Sequence, residues 1–164
     1  MYLKGLLLIH PKQYQFINNM IQILIAGDFC PMDRVAKLID KEDYKSVFGE
    51  VIEYTQQADY SVVNLEAPIV ENEAKPIDKC GPNLKCTSKA IKALKYAGFD
   101  MATLANNHFY DYGDEGVYDT LNACKEYGVD VVGGGRNIDE ASRTFYKTIE
   151  GQRFAFINCC EHEF

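Results

Sequence analysis

Apolar and polar positions along the chain follow two alternating rhythms. Short, nearly continuous apolar runs recur: "IQILIA" from Ile21 to Ala26, "YSVVNL", "DMATLA" and "VDVVGGG". They are too short for helices and read as buried strands. Between them lie stretches with helical spacing. "YKSVFGEVIEYTQQA" places Val47, Phe48, Val51, Ile52 and Tyr54 near one face. "SKAIKALKYAGF" carries an Ala90, Ile91, Leu94, Ala97 stripe between Ser88 as N-cap and Gly98 as C-cap. From Asp114 to Tyr127, Val117, Leu121 and Cys124 repeat at i, i+4 and i+7, and Gly128 stops the helix. "NIDEASR" reads as a short helix. "TFYKTIEGQRFAFINCC" reads as two strands joined through Glu150-Gly151.

Strands alternating with helices predict βαβ units. The expected class is α/β, a mostly parallel sheet with flanking helices, and the terminal hairpin is expected to form an antiparallel edge. "APIVENEAKPIDKCGPNLKCT" has three prolines and mixed charge and reads as a long loop. The chain contains no internal repeat and no low-complexity tract.

Composition narrows the function. The 164 residues suit one domain. Lysines and arginines number 17 against 24 acidic residues, a formal charge of −7, which argues against a nucleic-acid partner. The six cysteines form no C-x-x-C pair and look like neither a disulfide framework nor a zinc knuckle. No apolar run approaches the roughly 20 residues of a membrane span. The expected location is therefore cytoplasmic or peripheral to the membrane. The opening "MYLKGLLLIHPK" has too short an apolar run for a signal peptide. Residues 1–19 read as an appended segment and residues 20–164 as the domain.

The unusual polar residues cluster where strands end. Open α/β sheets bind ligands beyond the carboxyl ends of their strands. The first strand ends in Gly27-Asp28, the second in Asn64-Leu65-Glu66 and the third in Asn106-Asn107-His108. Asn64 and Glu66 are two apart and point to the same side. Taken singly, each is an ordinary turn, cap or structural residue. Together they offer oxygen donors and an imidazole suited to Mn²⁺, Mg²⁺, Fe²⁺ or Zn²⁺. Several carboxylates sharing an edge repel one another unless a cation is present.

"LIAGDFCP", "ADYSVVNLEAPI", "ALKYAGFDMATLANNHFYDYGDEGVYDTLNACKEYGV", "VGGGRNIDEA" and "FINCCEHEF" occur in one order. That order resembles bacterial capsule-synthesis proteins of the CapA type, a family linked to poly-γ-glutamate synthesis within the calcineurin-like metallophosphoesterase superfamily. The resemblance covers about Ile21 to Phe164. It implies the N-terminal portion of a metallophosphoesterase-like α/β/β/α sandwich. It further implies Asp28, Glu66 with Asn64, and Asn107 as metal ligands. His108 would be a general acid or oxyanion stabiliser, and Asp111 would orient it. The implied chemistry is metal-assisted hydrolysis, with two divalent ions in the full-length protein lowering the pKa of bound water towards about 7. The implied partners are an anionic polymer or a phosphate-containing small substrate, and other capsule-synthesis components.

Two departures stand beside the resemblance. Cys30 occupies the position where the superfamily's first motif has a histidine, and reads either as a thiolate ligand or as a small core residue. The superfamily also completes its site with later histidines, and here the only others are His10 and His162. The chain thus reads as a truncated form of the family domain. Alternatives are a non-catalytic scaffold of the same assembly, a nucleotide-binding module built on "VGGGRN", and a cysteine hydrolase using Cys159 or Cys160 with His108. The loop from Pro68 to Pro82 and Lys85 are candidates for shaping a substrate channel and meeting an anion.

Overall fold

A computed structural model describes residues 20–161 of the protein. Four strands, β1 (Ile23–Phe29), β2 (Tyr60–Leu65), β3 (Met101–Thr103) and β4 (Asp130–Val132), form a parallel sheet in the order β1-β2-β3-β4. Parallel neighbours need a crossover. These are supplied by α1 (Asp33–Asp40), α2 (Tyr44–Phe48) and α3 (Val51–Gln57), then α4 (Lys89–Ala97), then α5 (Gly113–Tyr127). A short α6 (Ile138–Ala141) leads to the antiparallel pair β5 (Phe145–Ile149) and β6 (Gln152–Phe156). The α/β class and the mostly parallel sheet are as the periodicity predicts.

The sequential strand order steps every crossover the same way, which puts the crossover helices on one face of the sheet. Strand alternation shows the consequence. Val63, Leu65, Ala102 and Leu104 point into a core with Ile91, Leu94, Val117 and Cys124 of the helices. Their neighbours Tyr60, Val62, Met101 and Val132 point the other way and pack with Ile149, Phe145, Phe154 and Phe156 of the hairpin. Each fully buried leucine or isoleucine contributes about 1.5–3 kcal/mol of transfer free energy. Leu65, Ile69, Ile91, Leu94 and Leu104 all reach zero exposure, so the helix-side core is the main source of stability.

Helix ends follow local chemistry. Gly98 (φ 92°) and Gly128 (φ 67°) close α4 and α5 in the left-handed conformation that glycine adopts without a Cβ penalty. Their N–H groups return to the carbonyls of the last turn.

Three expectations need correction. The hairpin is not an edge of the main sheet: β5 and β6 pair only with each other and form a second layer. The aromatic side chains Phe145, Phe154 and Phe156 are the reason, because they cover the apolar sheet face left bare by the helices. The single helix expected from Tyr44 to Ala58 breaks at Gly49 (φ 53°), giving α2 and α3. Helix α1 is additional to the elements read from the pattern; it buries Ile39 beside Tyr44 and Ala93. The appended segment 1–19 lies outside the described residues, as does His162.

Candidate functional site at the strand carboxyl ends

Parallel register brings the predicted residues to one edge. Asp28 pairs with Asn64 across β1 and β2, and Asn64 with Thr103 across β2 and β3. The ladder between β1 and β2 shifts between Ile25 and Asp28, and that irregularity sits immediately before the aspartate. Asn64 forms the hub of this edge. Its Nδ2 donates to Asp28 Oδ1 at 2.8 Å. Its Oδ1 accepts from Thr103 Oγ1 at 3.1 Å and Asn106 Nδ2 at 3.2 Å. Asn106 Nδ2 also donates to the Leu65 carbonyl, and Asn106 Oδ1 accepts from the His108 N–H at 3.0 Å. The amide oxygen of Asn64 is thus taken by two donors, and what this residue does here is hold Asp28 and Asn106. Asn107 follows at the surface, and its backbone carbonyl accepts from Lys79 at 3.4 Å.

A second group lies beneath. Asp111 is fully buried. Its Oδ2 lies 2.8 Å from His108 Nδ1 and accepts from the Leu84 N–H at 2.6 Å, while Oδ1 pairs with Lys79. The carbonyl of Asp111 accepts from the Ile77 N–H, tying the long loop to the turn after β3. Lys79 Nζ also lies 3.2 Å from His108 Nδ1. The tautomer in which Nδ1–H donates to Asp111 satisfies this contact and puts Nε2 on the other side of the ring. Nε2 faces Glu66 Oε1 at 4.0 Å. Asp111 therefore orients the imidazole, with its buried charge compensated by Lys79.

Glu66 is part-exposed, with a quarter of its side chain in solvent, and Asp28 is exposed. Cys30 completes this part of the edge. Burial is the main cause that pushes its thiol up to about 11, reinforced by the charge of Glu66, a hydrogen bond to Glu66, and the charges of Asp28 and Asp33. At neutral pH the Cys30 side chain is a thiol. The donor chemistry of Asp28, Glu66 and the Asn107 amide suits a hard divalent cation. Its number is small: among the described residues no group of three or more His, Cys, Asp or Glu side chains is arranged to hold an ion.

Two positions that the sequence does not mark support this edge. Lys79 comes from the long loop, where one lysine among mixed charges carries no signal. Asn158, just beyond β6, accepts from the Ala105 N–H at 2.7 Å and so clamps the segment leading to His108. The three glycines of "VGGGRN" have packing duties. A Cβ on Gly133 would come within 2.2 Å of Asn158 Oδ1, one on Gly134 within 2.8 Å of Leu104, and one on Gly135 within 2.5 Å of the α6 backbone. Tight packing against neighbours accounts for the run without any nucleotide. Lys85 lies over the Tyr112 ring, 5.2 Å from its centroid. Cys159 and Cys160 are exposed.

Comparison with known proteins gives the chain a family. Residues 22–163 match the model of the bacterial capsule synthesis protein PGA_cap. The chain is 33% identical over 142 residues to the capsule biosynthesis protein CapA of Bacillus anthracis, covering 85% of this chain and 34% of that protein. It is 28% identical over 149 residues to the PGA biosynthesis protein CapA of Bacillus subtilis (strain 168), covering 90% of this chain and 39% of that one. A probable polyglutamine synthesis accessory protein of Mycobacterium tuberculosis is 28% identical over 121 residues, 70% of this chain and 30% of its own length. The chain thus spans between about a third and two fifths of the length of the two Bacillus relatives. Among the described residues no helix is long and apolar enough to cross a membrane. With the family model matched across the whole βαβ core and both strand-end groups, the chain belongs to the bacterial capsule-synthesis family PGA_cap.

Proposed function

We propose that the strand-end edge is the beginning of a hydrolytic site that acts in the synthesis of an anionic, amide-linked polymer. One observation carries this reading: three adjacent parallel strands deliver Asp28, Glu66 and His108 to one edge, and His108 is oriented by a buried carboxylate. Asp28 and Glu66, with the Asn107 amide, are the residues that would hold a divalent cation. Such an ion, when bound, would polarise the scissile group and acidify water. The chain's own contribution is positional. Asn64 fixes the Asp28 carboxylate, and Asp111 and Lys79 fix the imidazole so that Nε2 faces Glu66. In that tautomer Nε2 can accept a proton from a nucleophile, or donate one to a leaving group once protonated. The substrate class follows from the family's relatives, whose names refer to capsule, PGA and polyglutamine synthesis. On this reading the protein works beside other components of the same synthesis.

A second reading is favoured by the short donor set: a scaffold subunit that keeps the fold without turnover. Metal analysis of protein purified without chelator, with assays on γ-glutamyl oligomers and a nitrophenyl phosphodiester, separates the two. The hydrolytic reading expects bound divalent metal and a turnover at least 100-fold lower in His108→Ala. Metal-free protein with no turnover of either substrate supports the scaffold.

A further inference from the structure

A second concave region lies away from the residues of the strand-end edge. It is a cleft of about 860 Å³ between α5, β4 and the segment running from Gly133 to Tyr146. Three features of it point to one kind of ligand.

The first is charge. In a chain of net charge −7, Lys125, Arg136 and Arg143 line this cleft together with a single carboxylate, Glu140. Glu140 is occupied by Arg136, accepting from its Nε and Nη2 at 3.1 Å each. Among the described residues no hydrogen bond or ion pair engages the side chains of Lys125 or Arg143. Both side chains are exposed, and Arg143 also acts on Glu140 through its charge, so Lys125 and Arg143 add positive charge to the cleft beside the Arg136–Glu140 pair.

The second is a strand edge that no other strand pairs with among the described residues. The Asp130 N–H donates to the Asp100 carbonyl, and the Val132 carbonyl accepts from the Leu104 N–H. Residues 130 and 132 thus direct their peptide groups towards β3. Alternation along the strand sends the N–H and C=O of Val131 the other way, towards the cleft that Val131 lines. The third is an apolar floor of Leu121 and Phe145, with Tyr118 and Tyr146 contributing aromatic surface.

We infer that this cleft binds an extended, amide-linked chain of acidic residues. The inference rests on the polymer-synthesis reading above and assigns that polymer a docking site separate from the strand-end edge. Amide groups of the ligand pair with the Val131 edge in the manner of an added strand. Its carboxylates meet Lys125 and Arg143, and its methylenes cover the apolar floor. An anion without amides satisfies the cations and leaves the strand edge unpaired, so the site discriminates between acidic peptide and phosphate polymers.

The test is a titration of amide chemical shifts in the whole chain with penta-glutamate, α-linked and γ-linked in separate arms, and with tripolyphosphate. The expected result is saturable shifts at Val131 and across residues 118–125 and 133–146 with at least one peptide. Affinity should weaken with salt and fall at least tenfold in the Lys125→Glu, Arg143→Glu double variant, whose changes are on exposed side chains. Val131→Pro removes the outward N–H, a placement that edge strands tolerate, together with a side chain that packs against the helix-side core; in variant protein whose spectrum remains that of the fold it should also weaken peptide binding. The inference is overturned if the β4 amides do not shift, if the double variant binds the peptide as tightly as the native chain, or if tripolyphosphate gives the same shifts with the same affinity. The double variant leaves Asp28, Glu66 and His108 untouched. Cation binding and turnover at that edge therefore report on the hydrolytic reading independently of the cleft.

Discussion

Two aspartates at the same end of the sheet live in opposite surroundings. Asp111 is wholly buried, and its carboxylate is engaged by Lys79, His108 and the Leu84 N–H. Asp28 is exposed, and the hydrogen bond given to it is the one from Asn64. The half of the site that orients the imidazole is thus complete within the protein. The half that offers carboxylates keeps spare acceptor capacity, which is what an arriving cation needs. A buried carboxylate must be compensated inside the fold, because desolvation costs several kcal/mol per ion. An exposed one is compensated by water until a ligand displaces it.

The contrast is broken most forcefully at Asp111. Asp111→Ala leaves the buried Lys79 ammonium without that counter-charge and the Leu84 N–H without its acceptor, so urea denaturation should show a loss of about 3–5 kcal/mol. A loss below about 1 kcal/mol would mean that the group is far wetter than its burial indicates. The pair can also be removed together. Lys79→Met with Asp111→Leu replaces opposite charges by apolar side chains, a change often close to neutral. The double variant removes the uncompensated ammonium but still leaves the Leu84 N–H and His108 Nδ1 without their carboxylate, so it should recover part of the single-variant loss, giving a coupling energy of at least about 1 kcal/mol in the cycle. Additive losses would contradict the compensation argument.

How much of this the sequence discloses depends on distance along the chain. The βαβ alternation, the glycine caps at Gly98 and Gly128 and the Glu150-Gly151 turn are local signals, and each can be read from a few neighbours. His108 and Asp111 are three apart, so their contact is a local signal as well. Asp28, Asn64 and Asn106 are far apart in sequence, yet each directly follows or ends an apolar run. The parallel sheet converts that shared position into proximity. Lys79 and Asn158 carry no such marker. Lys79 reaches Asp111 from a loop 32 residues earlier, and Asn158 reaches Ala105 from 53 residues later. The hairpin is legible as a hairpin, but its place as a second layer is fixed by which sheet face lacks helices. That is a property of the assembled fold and not of residues 145–156.

A smaller effect is expected from pH. The Cys30 thiol is raised from 9.0 to about 11 in the folded protein. Above pH 9 the unfolded chain releases this proton while the folded chain retains it. Stability present below pH 9 is therefore lost as pH rises towards 11. Cys30→Ala should flatten the decline of melting temperature across pH 9–11 by a modest amount, since one partly exposed group is involved. An unchanged slope would place Cys30 in water rather than against Glu66. The smallest stability change is expected at the open aspartate: Asp28→Ala should stay within about 0.5 kcal/mol of the native chain, as exposed substitutions generally do.

That near-neutrality makes Asp28→Ala the control for the claim on which the functional reading depends, that the exposed carboxylates take a divalent cation. Mn²⁺ titrated into the isotopically labelled chain broadens amide signals near wherever it binds. The expected result is saturable broadening centred on Asp28, Glu66 and Asn107, absent in the Asp28→Ala variant while its spectrum otherwise remains that of the folded protein. Broadening scattered over surface carboxylates, or unchanged at this edge in Asp28→Ala, would contradict the assignment of these residues as a cation site.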